Sequence, residues 1–436
     1  MRSVLAVLAA VVGCAGSPGD AGPGPAVEGP RYVSIARDAI DAALAVAERR
    51  GQSLQVLDLD ADVALVEIDA RDLEVLAEEM HARHDRCGGF MVHDSYAEAR
   101  AAIPVHTDPL HADPTHGERG RPALDYTIDH GEELRPVLPR LDAGRIRDTI
   151  RELSAMQNRY YQSPSGAAAS LWLRDRWRSL TARPDVTVEL VDHGYAQKSV
   201  IMTVPGTVWP EQVVVIGGHL DSIAVGGVSS TAPGADDDAS GIATITEVAR
   251  VLLAHDFQPA RTVQFMAYAA EEVGLRGSQL IARDYAKRGI HVVGALQLDM
   301  TSYRGSDKDI WLMKDFTSAP QNAFLGQLID TYVGVSWGLD ACGYACSDHA
   351  SWHRTGVPAS MPFESRMRDR NRAIHTRRDT LETSGGNAEH AVKFAALATA
   401  YAVELGKGAL GPPAASPREL AEPALGSPAQ LGAAAC

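Results

Sequence analysis

Short apolar, β-branched runs alternate with longer stretches of helical period through the middle of this chain. Residues 186–191, 199–204, 213–216, 263–267 and 292–298 read as strands, and 240–254 and 278–287 as helices. Upstream, Asp142 precedes a stretch that puts Ile146, Ile150, Leu153 and Met156 on one helical face, and 167–180 gives a second helix. A long helix over 388–405 closes the region. Strands alternating with helices predict an α/β domain over residues 131–408, with a mixed, mainly parallel central sheet and helices on both faces.

The flanks follow other patterns. Residues 31–100 read as a small α+β unit, with strands at 54–59 and 63–68 and Asp69 capping a helix that carries Leu73, Leu76 and Met80. Residues 101–130 set His106, His111, His116 and His130 among Pro, Asp and Gly without periodicity, which predicts an exposed, cleavable connector. Residues 1–16 have the form of a secretory signal peptide, Arg2 followed by an apolar stretch too short to span a membrane permanently. Val11-Val12-Gly13-Cys14 offers the alternative of a lipoprotein anchored at Cys14, the one case in which a membrane partner is expected. Residues 17–30 read as a Gly/Ala/Pro linker, and 409–436 as a disordered tail.

Composition narrows the partners. Of 436 residues, 45% are hydrophobic and 22% charged, ordinary values for a soluble globular protein. A net charge of −15 argues against a nucleic-acid partner, whose phosphates need a basic face. Export places the five cysteines in an oxidising compartment, secreted or periplasmic. There Cys342 and Cys346 can close a small-loop disulfide; the competing reading is half of a zinc site, for which no second pair lies at matching spacing. Cys87 and Cys436 have no evident role.

Acidic residues and histidines recur where the apolar runs stop. His219 and Asp221 follow one run, Glu271 and Glu272 a second, and Asp299 a third; Asp236-Asp237-Asp238 and His375 add to them. Parallel strands carry such residues to one edge of the sheet, where active sites of open α/β folds lie. Unpaired buried carboxylates are costly unless they bind cations or one another, so the pattern predicts two metals. Asp237 is the candidate bridge, in a turn permitted by Gly234 and Gly241. His219 with Asp299 would hold one ion, and Glu272 with His375 the other. Asp221 is placed to accept the second ring N–H of His219, and Glu271 to move protons. His349 and His353 have zincin spacing but Ala350 stands where that motif needs Glu, and Ser222 and Ser240 lack a nucleophile-elbow pattern.

Several segments carry a family resemblance: Gly217-Gly218-His219-Leu220-Asp221-Ser222, residues 232–241, residues 266–278, Gln297-Leu298-Asp299-Met300, residues 342–353, residues 361–365, and Ile374-His375. Over about 131–407 the chain resembles the co-catalytic zinc aminopeptidases of peptidase family M28, especially the secreted bacterial leucyl aminopeptidases of the Vibrio/Aeromonas type. The resemblance implies two Zn²⁺ per catalytic domain, held by His219, Asp237, Glu272, Asp299 and His375, with Glu271 and Asp221 as catalytic residues. It implies an apolar pocket of Met300, Cys342, Tyr344, Cys346, Met361, Phe363 and Ile374, and a Cys342–Cys346 disulfide. It further implies a monomer acting on peptide or protein N-termini with a preference for large hydrophobic residues. The 31–100 unit, including Arg86-Cys87-Gly88-Gly89, is similar to an inhibitory propeptide released by an activating protease. Met367 and Arg370 depart from the aromatic residues common at those positions, so Arg370 is expected to place a cation at the pocket rim. The rival readings are a single-zinc glutaminyl cyclase or other amidohydrolase on the same fold, and a non-catalytic receptor-like module, which would have lost ligands that are intact here.

Overall fold

The apolar runs pair into a six-stranded sheet, accompanied by separate sheets of four, three and two strands. The computed structural model describes residues 29–102 except 61, 85 and 87, then residue 124 and residues 126–411. The expected signal peptide, Cys14, Cys87, Cys436, the connector histidines His106, His111 and His116, and the tail from 412 lie outside the described residues.

The N-terminal unit runs β1 (Pro30–Ala36), α1 (Ile40–Arg49), β2 (Gln55–Leu59), β3 (Val63–Asp69), α2 (Leu73–His84), β4 (Phe90–His93) and α3 (Tyr96–Ala102). Its strands form an antiparallel sheet in the order β2-β3-β1-β4. β2, β3 and α2 match the sequence pattern, whereas β1, α1, β4 and α3 are additional. The reason is physical: β4 is buried at all of its positions and shows no alternation, and α1 buries mainly alanines, a weak apolar stripe. Pro30 opens β1, so the linker expected to run to 30 stops earlier. Asp69 caps a 3-10 turn, accepting the Arg71 N–H at 2.9 Å, and that turn leads into α2.

The main domain continues with α4 (Gly131–Leu134), α5 (Ala143–Ser154), α6 (Pro164–Arg178), β5 (Thr187–Val191), β6 (Ser199–Val204), β7 (Trp209–His219), α7 (Ala239–Ala254), β8 (Gln258–Pro259) and β9 (Arg261–Tyr268). Then come α8 (Arg276–Lys287), β10 (His291–Gln297), β11 (Ile310–Met313), α9 (Ala319–Leu328), β12 (Trp337–Asp340), α10 (His349–Arg354), β13 (Ala359–Ser360), β14 (Pro362–Phe363), α11 (Glu389–Gly406) and β15 (Gly408–Ala409). The central order is β13-β10-β7-β9-β6-β5, parallel from β13 to β9 and antiparallel over β6 and β5. β15 pairs with β8, which brings Ala409 into the domain rather than the tail.

Local chemistry sets the helix starts. Asp142 accepts the Gly144 N–H at 2.7 Å to open α5, and its own N–H donates to Glu247 of α7 at 2.8 Å. α7 is buried at every position except Arg250 and Ala254, and it packs against β7, α5 and α11. Its first turn is where the fold meets the site. Gly234 adopts a left-handed φ of +51°, as a tight turn requires. Gly241 has a different reason: it lies within α7, and a Cβ there would stand 2.2 Å from the Leu298 carbonyl oxygen beyond the end of β10. Gly241 therefore permits close helix–strand approach rather than a turn.

The two units share a core. Phe90, Leu73, Leu76 and Met80 of the N-terminal unit cluster with Tyr160, Tyr161, Ile223, Ala270 and Val273 of the main domain. Among the described residues no helix is long and apolar enough to cross a membrane.

Candidate metal centre

Three neighbouring parallel strands deliver the polar clusters to one edge. β7 lies between β10 and β9, and it ends on His219 itself. The chain beyond β9 supplies Glu271 and Glu272, and the chain beyond β10 supplies Asp299. Asp238 ties these ends together. Its Oδ1 caps α7 by accepting the Gly241 N–H at 2.8 Å and also accepts the Met300 N–H at 3.2 Å; its Oδ2 accepts the His219 N–H at 3.0 Å.

Asp237, one residue earlier, points its two carboxylate oxygens at different histidines. Oδ1 stands 2.9 Å from His219 Nε2, and Oδ2 stands 3.1 Å from His375 Nε2. Asp299 Oδ1 is 3.5 Å from the same His219 nitrogen, and Glu272 Oε2 is 2.8 Å from the same His375 nitrogen. Two overlapping ligand sets result, His219-Asp237-Asp299 and Asp237-Glu272-His375, each with its donor atoms within 4.8 Å of one another. The five residues proposed from sequence are thus brought together, and all are at most 5% exposed.

Asp221 stands 3.5 Å from His219 Nδ1, near the nitrogen it was expected to orient. Its hydrogen bonds run elsewhere as well: Oδ1 accepts the Glu271 N–H at 3.0 Å and Oδ2 the Glu272 N–H at 3.1 Å. One carboxylate therefore fixes the loop that carries both glutamates. Glu271 is fully buried, and neither of its carboxylate oxygens has a hydrogen-bond partner. Burial raises its pKa well above the carboxylate range, with the field of His219 opposing and those of Asp348, Glu272 and Asp299 adding. Glu272 is pushed up to about 7, chiefly by burial and then by Asp237. Burial also works against ionising Asp237, but the hydrogen bonds from His219 and His375 outweigh it and hold its pKa low.

The donor set fits divalent cations. Carboxylates and imidazoles converge from several elements, and oxygens of Glu271 and Asp299 are buried without hydrogen bonds. Arg159 is the fully buried cation whose field reaches Asp238, Asp379, Asp221 and Asp237. Its guanidinium donates to the carbonyls of Leu220 at 2.9 Å, Pro233 at 2.5 Å and Gly234 at 2.8 Å, so it braces the loops rather than pairing with a carboxylate.

The expected pocket residues also meet. Met300, Tyr344, Cys346, Met361, Phe363 and Ile374 form one buried apolar cluster with partly buried Cys342, and Cys342 and Cys346 are disulfide-bonded. Met313, unmarked by any motif, completes it, and Met367 packs at its margin. Arg370, expected at the pocket rim, is buried, and its Nη1 donates at 2.8 Å to the carbonyl of Met367, which packs at the margin of the cluster. His349 is buried with Nε2 3.1 Å from the Asp315 carbonyl, and no metal-ligand group includes it among the described residues.

Sequence reasoning missed the residues behind the ligands. Asp379 accepts the Asp237 N–H at 3.1 Å and the Asp236 N–H at 3.2 Å, while Asn371 donates to Asp379 at 3.2 Å and to Asp236 at 3.1 Å. These lie far from residue 237 in sequence and form no motif with it.

A carboxylate bridging two ligand sets at the carboxyl edge of this sheet defines a metal-dependent hydrolase. The comparisons agree. Residues 199–400 match the description Peptidase family M28. Leucine aminopeptidase 1 of Coccidioides posadasii is 36% identical over 304 residues, covering 66% of this chain and 77% of the relative. Leucine aminopeptidase 1 of Uncinocarpus reesii is 37% identical over 294 residues, covering 64% and 73%. The LapA aminopeptidase of Legionella pneumophila superposes with a TM-score of 0.71 at 27% identity, over 87% of this chain and 99% of that one. LapB from the same organism gives 0.69 at 28% identity, over 87% and 100%. The chain belongs to peptidase family M28 and is a peptidase.

Asp379 offers a test of how the bridge is held. Asp379→Ala removes the acceptor for two backbone N–H groups, and metal affinity should fall by about 10- to 100-fold, measured by chelator competition. Unchanged affinity would contradict this account of the turn.

Proposed function

We propose that this peptidase is a secreted two-zinc aminopeptidase, released from latency by proteolysis, which removes large hydrophobic residues such as Leu from peptide and protein N-termini. The observation that carries the reading is Asp237, whose two oxygens face the Nε2 atoms of two different histidines. The curated relatives' names support leucine as a substrate residue. The apolar cluster of Met300, Tyr344, Cys346, Met361, Phe363 and Ile374 supports a pocket for such a side chain. The Cys342–Cys346 disulfide supports an oxidising compartment.

His219, Asp237 and Asp299 would hold one ion, and Asp237, Glu272 and His375 the other. Bound there, two zinc ions supply Lewis acidity that polarises the first peptide carbonyl and lowers the pKa of a water. Glu271 takes the proton of the attacking water and passes it to the departing amine. Its position suits this, because both of its carboxylate oxygens are buried beside the candidate metal sites without hydrogen bonds. Asp221 keeps Glu271 in place through the Glu271 N–H.

Latency draws support from the N-terminal unit's position. Ala36 packs against the pocket cluster, and the Arg86 guanidinium lies 4.9 Å from the centroid of the Tyr344 ring, so the unit stands over the pocket.

Glu271→Gln should lower kcat on Leu-p-nitroanilide by at least about a hundred- to ten-thousand-fold while zinc content stays constant. A variant at the wild-type rate would sink the proton-transfer role. Cutting within the 101–130 connector and removing the N-terminal unit should raise activity on the same substrate. Equal rates for intact and trimmed protein would end the latency proposal.

A further inference from the structure

The N-terminal unit touches a metal ligand directly. His81, near the end of α2, places its Nδ1 2.9 Å from Nδ1 of His375. The ring centroids are 4.5 Å apart. The other nitrogen of His375, Nε2, faces Asp237 at 3.1 Å and Glu272 at 2.8 Å. The two nitrogens therefore have separate duties. An imidazole that gives its Nε2 lone pair to a cation keeps its proton on Nδ1. Nδ1 of His375 then donates, Nδ1 of His81 accepts, and His81 carries its own proton on Nε2. This arrangement leaves Nε2 of His375 open to the ion.

We propose that His81 is a positioning residue of the metal centre. The docked N-terminal unit fixes the tautomer and ring orientation of His375, so the intact chain holds the ion at Asp237-Glu272-His375 more tightly than it would without the His81 imidazole. The inference rests on the two-metal reading above.

Two contacts from the helix that carries it fix where His81 stands. Glu74 accepts the Tyr161 hydroxyl at 3.1 Å, and Glu78 accepts the Gly226 N–H at 3.2 Å, both from α2. Arg86 pairs with Asp38 at 2.6 Å while lying over Tyr344. The cleft between the units is lined by Glu78, His81 and Gly88 on one side and by Val225, Glu272 and His375 on the other. The two ligand sets differ in this respect. His219 has Asp221 of its own domain 3.5 Å from its Nδ1, whereas His375 has His81 of the N-terminal unit beside its Nδ1. Loss of the unit should loosen the His375 set and spare the His219 set.

The test is zinc binding by the full chain in chelator competition, without substrate, for wild type, His81→Phe, His81→Ala and Arg86→Ala. Phe keeps a ring against His375 and deletes the nitrogen; Ala guards against a misfolded Phe variant. Both should bind one ion as wild type does and the second about 10- to 100-fold more weakly. Arg86→Ala should bind both ions like wild type, since it disturbs the unit's contact with Tyr344 and leaves the imidazole. Unchanged affinity in the His81 variants would overturn the proposal. An equal loss in Arg86→Ala would overturn it too, because docking rather than the imidazole would then be responsible. A wild-type chain that binds one ion refutes the two-metal reading, and equal affinity for that ion in His81→Phe would refute the role of His81 separately.

Discussion

Buried negative charge is the constraint on which this structure depends. Asp221, Asp237, Asp238, Glu271, Glu272 and Asp299 crowd the carboxyl edge of the sheet, each at most 2% exposed. Removing a carboxylate from water costs several kcal/mol even after relaxation, so each needs compensation. Asp238 and Asp221 spend their oxygens on backbone N–H groups, and in doing so they fix the ends of the strands and the glutamate loop. Asp237, Glu272 and Asp299 instead turn toward two imidazoles. Metal held between these groups would complete the compensation and supply the reactivity of the proposed site. Fold and chemistry thus share one electrostatic requirement.

Three of the candidate ligands, His219, Glu272 and Asp299, stand out in the sequence because each follows an apolar run. A parallel sheet converts that linear pattern into one edge: β7 ends at His219, and Glu272 and Asp299 follow β9 and β10. Their support was not legible. Asp379 and Arg159 act through hydrogen bonds to distant backbone and Asn371 through hydrogen bonds to the Asp379 and Asp236 carboxylates, and nothing in their own neighbourhoods marks them. Gly241 was visible as a glycine, yet its reason, the approach of α7 to the Leu298 carbonyl, is tertiary. The burial of Arg370 was not legible either, because its bond to the Met367 carbonyl is set by the local loop rather than by any pattern. In the N-terminal unit, β4 escaped notice because it is buried throughout and lacks the alternation that marks a half-buried strand.

The N-terminal unit is bound to the site at three levels. Its core is continuous with Tyr160, Tyr161, Ile223, Ala270 and Val273 of the main domain. Its polar residues Glu74 and Glu78 hold Tyr161 and Gly226. Its Arg86 and His81 reach Tyr344 of the apolar cluster and His375, a candidate metal ligand. On the proposed reading, removal of this unit would change access, packing and metal coordination together.

The central claim is that Asp237 is shared by two cations. Anomalous diffraction at the zinc edge from crystals of the intact chain tests it most directly. Two anomalous peaks are expected, one among His219, Asp237 and Asp299 and the other among Asp237, Glu272 and His375. A single peak in the site, or peaks that leave Asp237 without a metal on either oxygen, would contradict it.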